Sequence, residues 1–254
     1  MRKLIAAGNW KMNLTAEAAQ ALASEVVHNF QAEYQGSAEV IMGVPFPYLP
    51  LIHHLVKDNP KVHLAAQTLH ESEKGAFTGE TSAQMLTSVG VTHVIIGHSE
   101  RRSIYGEGNA LLAAKVDQAL ANDLVPIFCI GETLEQREAG QTLAVNAEQL
   151  SEGTFHLDAD AFSKSIIAYE PVWAIGTGKT ASPEQAQEVH ASIRAQISEK
   201  YGTEVADNTT ILYGGSVKPA NAESLFGQAD IDGGLVGGAS LKSRDFTEII
   251  KALN

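Results

Sequence analysis

A chain of 254 residues, 44% hydrophobic and 19% charged with 8 prolines, is long enough for one large core and carries no linker or low-complexity tract. Its net charge of -12 argues against nucleic acid and anionic membrane surfaces as partners, because both demand a cationic face. An anionic substrate would need a locally positive site inside this unfavourable field.

From the N-terminus, an apolar run follows Arg2-Lys3 but stops at Asn9, too short for a secretory leader. It opens a series of short runs rich in β-branched residues at 4–8, 40–44, 62–66, 93–96, 125–130, 166–169, 210–213 and 234–236. Eight strands are expected, separated by segments with helical spacing. The clearest helix start is Ser182-Pro183-Glu184-Gln185: Ser182 caps, Pro183 takes the first helical position and Gln185 completes a capping box. Behind it Ala186, Val189, Ile193 and Ile197 form an inward stripe. No apolar stretch approaches the roughly 20 residues of a membrane-crossing helix, so no membrane association is expected. The lone Cys129 excludes an internal disulfide and fits a reducing compartment, which predicts a cytoplasmic location.

Strands alternating with helices imply a parallel sheet with right-handed crossovers. An open sheet gathers its ligand contacts at a switch point, whereas a closed barrel draws them from strands all around the ring. Here polar and Gly-rich clusters follow the first, fourth, sixth, seventh and eighth strands, which favours a barrel: a single (β/α)8 domain over 1–254.

The clusters are Asn9-Trp10-Lys11-Met12-Asn13, Gly97-His98-Ser99-Glu100-Arg101-Arg102, the segment 169–181, Tyr213-Gly214-Gly215-Ser216, and 233–240. Taken alone, Lys11 reads as a solvated surface lysine and His98 as a structural histidine. Glu170 ends an apolar strand, where a carboxylate is withdrawn from water and made more basic. The segment after it, proline and small residues around a Gly-rich tip, is written like a lid. Gly-rich turns after strands seven and eight offer bare amides to a phosphate, supplying the positive field the acidic chain otherwise lacks.

Two tempting motifs fail. Gly178-Lys179-Thr180 resembles the end of a nucleotide phosphate loop, but the glycine required five residues earlier is Trp173. The run 233–238 has Leu235 where G-x-G-x-x-G needs glycine. No dinucleotide is expected, and without a HExxH pattern no metal; the reading is cofactor-free.

Read in order, these five clusters closely resemble the signature of the triosephosphate isomerases, along the whole chain. The resemblance implies a (β/α)8 TIM barrel that interconverts dihydroxyacetone phosphate and D-glyceraldehyde 3-phosphate through an enediol(ate), in glycolysis and gluconeogenesis. It implies that Lys11 binds substrate, His98 polarises the carbonyl and Glu170 moves the proton. The resemblance further implies a glutamate base beside a neutral histidine. Asn9, Gly176, Ser216, Gly237 and Gly238 are implied substrate contacts, with Ser99 and Glu100 just behind them. The implied lid latch joins the Tyr213 hydroxyl to the Ala181 amide, and Ser216 to Gly178. A long loop, 67–80, is expected to pack on a second copy, with Thr78 entering the partner's site in a homodimer. Where the family commonly carries Ser-Asp, this chain has Gly108-Asn109, and Asn109 is expected to cap the following helix. A phosphate-binding barrel lyase or isomerase of another kind, and a barrel that only senses a phosphorylated ligand, are the alternatives; a lyase would commonly need a Schiff-base lysine or a metal.

Overall fold

The computed structural model describes residues 2–175 and 180–253. Eight parallel strands close into one barrel in sequence order: β1 Ile5–Asn9, β2 Glu39–Val44, β3 Val62–Ala66, β4 His93–Ile96, β5 Val125–Ile130, β6 Ile166–Tyr169, β7 Ile211–Tyr213 and β8 Gly233–Val236. β8 returns to β1, with Ile5 opposite Gly233. Bounds differ from the sequence reading by a residue at the ends, because the ladder and not the apolar run decides them: Asn9 is drawn into β1 by pairing with Gly43. Helices, among them Ala16–Glu33, Ser99–Tyr105, Asn109–Ala121 and Pro183–Tyr201, wrap the outside. Among the described residues, no helix is long and apolar enough to cross a membrane.

Helix Pro183–Tyr201 starts as the sequence predicts. The Ser182 hydroxyl accepts from the Gln185 amide, the Gln185 side chain accepts from the Ser182 amide, and Ala186, Val189, Ile193 and Ile197 are buried. The expectation for Asn109 is corrected. Gly108 is the cap of helix Asn109–Ala121, while Asn109 Oδ1 accepts from Arg102 at 2.6 Å and its Nδ2 donates to Glu152. Arg102 is fixed by the carbonyls of Gly97 and Cys129, and a charged donor outcompetes a backbone amide for that oxygen.

Along each strand, alternate residues face the barrel axis. Ile5, Ala7, Ile41, Ala65, Ile95, Ile127, Cys129, Ile166, Ala168, Leu212 and Leu235 pack into one inner cluster. Their neighbours, such as Met42, Phe128, Tyr169 and Tyr213, belong to the layer between sheet and helices. Two residues further toward the C-terminal ends, the inward register reaches Asn9, Gly43, Gln67, Gly97, Gly131, Glu170, Gly214 and Gly237. Glycine holds five of those positions, so the mouth is left open to three side chains, Asn9, Gln67 and Glu170. Crowding explains two of the glycines. A Cβ on Gly131 would stand 1.7 Å from the Glu170 carbonyl oxygen, and one on Gly214 would stand 2.7 Å from Glu170 Cγ.

Toward the other end of the barrel, the rings of His63 and His93 lie 5.1 Å apart. His63 Nε2 is 3.1 Å from Glu39, which also pairs with Lys3 at 2.9 Å, and Thr92 Oγ1 lies 2.8 Å from His93 Nδ1. Burial, with His63 beside it, pushes His93 down to about 3, and burial does the same to His190. An unfolded histidine titrates near 6.5, so above that pH both states are neutral and neither residue affects the pH dependence. Between about pH 6.5 and 3 the unfolded chain takes up protons that the folded chain refuses, so stability falls with acid by up to ~1.4 kcal/mol per pH unit for each histidine. Urea midpoints should therefore drop from pH 7 to pH 5, and His93→Gln should flatten that slope; an unaltered slope in the variant would remove His93 from the account.

Candidate active site

The site begins where β1 ends. Lys11 sits at φ +53°, a left-handed conformation that costs a residue with a side chain of order 1–3 kcal/mol. Three contacts hold it there. Its amide donates to Asn9 Oδ1 at 3.0 Å, its carbonyl accepts from Gln67 Nε2 at 3.0 Å, and its Nζ meets Glu100 Oε1 at 2.7 Å. Gln67 also donates to the Gly43 carbonyl, tying the end of β1 to β2 and β3.

After β4, Gly97 turns the chain at φ +77° into helix Ser99–Tyr105, with His98 as its cap. The Glu100 amide donates to His98 Nδ1 at 3.2 Å. An amide hydrogen aimed at Nδ1 leaves the ring proton on Nε2, which lies 3.0 Å from Glu170 Oε1. The other Glu170 oxygen accepts from the Ser99 amide at 2.9 Å. Both side chains are buried, Glu170 to 2% exposure and His98 to 6%. Burial works against a charge on His98, but the Glu170 carboxylate outweighs it and raises the imidazole above its ordinary pKa. The sequence-based expectation of a neutral ring is thus opposed as long as Glu170 rests against it. The neutral form is favoured by burial and by the Glu100 amide, which a second ring proton would have to displace.

Opposite this pair, the turn after β7 and the short 3₁₀ turn Gly238–Leu241 complete a cavity of about 470 Å³. Asn9, Lys11, His98, Glu170, Ser216, Gly237 and Gly238 all line it, so seven of the expected site residues from five strands converge on one space. Gly176, and Gly178 of the expected latch, lie outside the described residues. Ser99 and Glu100 stand behind Glu170, His98 and Lys11, as the contacts above define. Tyr213 faces outward beneath the cavity: its buried hydroxyl makes no hydrogen bond of ordinary length among the described residues, yet the Ala181 amide lies near enough to oppose the burial that pushes it up to about 12. Thr78 is exposed on a loop closed by its own bonds, His70 amide to Thr81 carbonyl and Glu80 amide to Phe77 carbonyl.

Two positions escaped the sequence reading. Gln67 is the inward residue two past Ala65, a signal that the strand alternation carried. Glu132, fully buried after β5, accepts from Trp173 Nε1 at 2.9 Å and Tyr169 Oη at 3.1 Å, with Arg137 at 3.3 Å. It anchors the start of the segment that follows Glu170. Its only signal was an acidic residue at a strand end, shared with Glu170. Among the described residues, no group of three or more His, Cys, Asp or Glu could hold a metal ion.

Comparison with known proteins agrees with this geometry. The family model for triosephosphate isomerase matches residues 4–253. Proteins named triosephosphate isomerase from Cytophaga hutchinsonii and Bacteroides fragilis are each 55% identical to the chain, the first over 99% and the second over 100% of it, and both are covered over 100% of their own length. One of that name from Flavobacterium johnsoniae is 50% identical with 100% of both chains covered. The chain belongs to the triosephosphate isomerase family.

Proposed function

We propose that Glu170, His98 and Lys11 carry the reaction of this family, the interconversion of dihydroxyacetone phosphate and D-glyceraldehyde 3-phosphate. The observation that supports it best is the His98 Nε2 to Glu170 Oε1 contact of 3.0 Å, with Nδ1 already engaged by the Glu100 amide. In that state both Glu170 oxygens are occupied, so the carboxylate is parked and must turn into the cavity to act. It then takes a proton from the carbon beside the carbonyl and returns it to the neighbouring carbon, while the hydroxyl proton on the first carbon's oxygen passes to the former carbonyl oxygen. Nε2–H, released from Glu170, donates to the oxygen on which charge develops. A base contributes about 10²–10⁴-fold and one donor to an oxyanion about 2.7–4 kcal/mol, so the two act together with Lys11, whose ammonium supplies a charge that needs no proton transfer. Amides of the Gly237–Gly238 turn, with Ser216, receive the phosphate at the positive end of a short turn.

The segment 171–181 serves as the lid in this reading. Its described ends are anchored, Trp173 on Glu132 and Ala181 beside Tyr213, and closure would shorten the approach of the Ala181 amide to the Tyr213 hydroxyl, which makes no hydrogen bond of ordinary length among the described residues. Closure excludes water and protects an intermediate prone to lose phosphate. The chain works as a homodimer in the cytoplasm. Met12 at 95% exposure, Ile104 at 71% and Tyr105 at 67%, with Phe77 and Met85, are large apolar side chains left in solvent, and a second copy would cover them. A fully buried thiol at Cys129 suits a reducing compartment.

Three outcomes are expected. In a coupled assay on both triose phosphates with chelator present, Glu170→Ala loses at least ~10²-fold in turnover while inorganic phosphate still binds; a loss under about tenfold would mean another base. Tyr213→Phe removes one ordinary hydrogen bond of about 0.5–1.5 kcal/mol, so it should release several-fold more methylglyoxal and phosphate per isomerisation, and an unchanged ratio would free Tyr213 of the latch role. Sedimentation at micromolar concentration should give twice the chain mass, whereas a fully active monomer would refute the dimer.

A further inference from the structure

On the far side of β6 and β7 from the cavity, a histidine is fully enclosed. His190, on helix Pro183–Tyr201, is 0% exposed. Its ring meets that of Tyr169 edge-on, 5.8 Å between centroids at 83°, and that of Tyr213 at 6.3 Å and 40°. Nδ1 lies 3.1 Å from the Asp230 carbonyl oxygen, which can only accept, so Nδ1 bears the proton. Nε2 is then a bare acceptor, buried without a hydrogen-bond partner among the described residues. An aliphatic side chain would orphan no nitrogen here, so for stability alone imidazole is the poorer choice.

The two tyrosines are cross-strand partners in register, and each directly precedes part of the site: Tyr169 comes before Glu170, Tyr213 before Gly214. The Gly214 amide donates to the Tyr169 carbonyl at 2.7 Å, joining the two strand ends. Glu170 has little slack, since Gly131 and Gly214 close in on its backbone and Cγ. We propose that His190 is a positioning residue for Glu170, its flat ring setting the spacing of Tyr169 and Tyr213 and thereby the point from which the carboxylate reaches substrate. The inference rests on Glu170 being the base. Because burial keeps His190 neutral, the contact works through shape and ring polarity and not through charge. A displacement of about 1 Å in a catalytic group can cost ~10²-fold, so modest loosening is measurable.

The test uses His190→Asn, which keeps an N–H for the Asp230 carbonyl but has no ring, and His190→Phe, which keeps a ring but no N–H. Arg194 also donates to that carbonyl at 3.2 Å, so neither variant orphans it. Ile193→Ala, a cavity in the same buried stripe, controls for general softening. His190→Asn should lower kcat about tenfold or more with KM within twofold, and His190→Phe should recover most of kcat. Ile193→Ala should lower the melting temperature but keep kcat within twofold. Unchanged kcat in His190→Asn overturns the inference, as does an equal loss in Ile193→Ala. If His190→Asn does not fold, His190→Gln is judged by the same values. Glu170→Ala separates the two readings: if it abolishes turnover while His190→Asn does not alter it, only the role of His190 fails, and if it stays active the base assignment fails with it.

Discussion

A closed ring of eight parallel strands has an interior that side chains just fill, and alternation along each strand fixes which ones enter it. Everything at the mouth follows from this constraint. Below, isoleucine, leucine and alanine seal the axis. One inward step higher, five glycines withdraw their side chains and leave Asn9, Gln67 and Glu170 as the groups that project inward. The site is the unfilled top layer of the barrel core, and Glu170 is rigidly placed because it continues β6.

The second constraint is charge. A chain of net charge -12 lines this cavity with Lys11, Lys218 and Lys242 and with the Gly237–Gly238 turn, which gives an anion a local positive field inside an acidic molecule. Lys11 is kept in a strained conformation by Asn9 and Gln67, two of the three side chains that project into the mouth. The same economy runs through His98, whose Nδ1 is engaged by the second amide of the helix that it caps.

Much of this was legible in the sequence. The eight apolar runs, the Ser182-Gln185 capping box and the five polar clusters are local patterns, and local patterns survive into the fold. Features set by distant partners were not legible. Asn109 looked like a cap because caps are local, but its oxygen was claimed by Arg102, itself held by Gly97 and by Cys129 from a strand away. Gln67 could be placed only once β3 had a register, and Glu132 only once Trp173 and Tyr169 were seen to converge on it. His190 carried no signal beyond its helical stripe, since its neighbours are the outward faces of two other elements.

The chemistry proposed for this site turns on His98 donating from Nε2, with Nδ1 held proton-free by the Glu100 amide, and on Glu170 resting against the ring and raising its pKa. Nitrogen NMR of the His98 ring across a pH titration, in the wild-type chain and in Glu170→Gln, tests both parts in one measurement. The expected result is a bare Nδ1 and a protonated Nε2 in the neutral form, and a pKa above the ordinary 6.5 that falls when Glu170 loses its charge. A proton on Nδ1, or a pKa indifferent to the substitution, would contradict it.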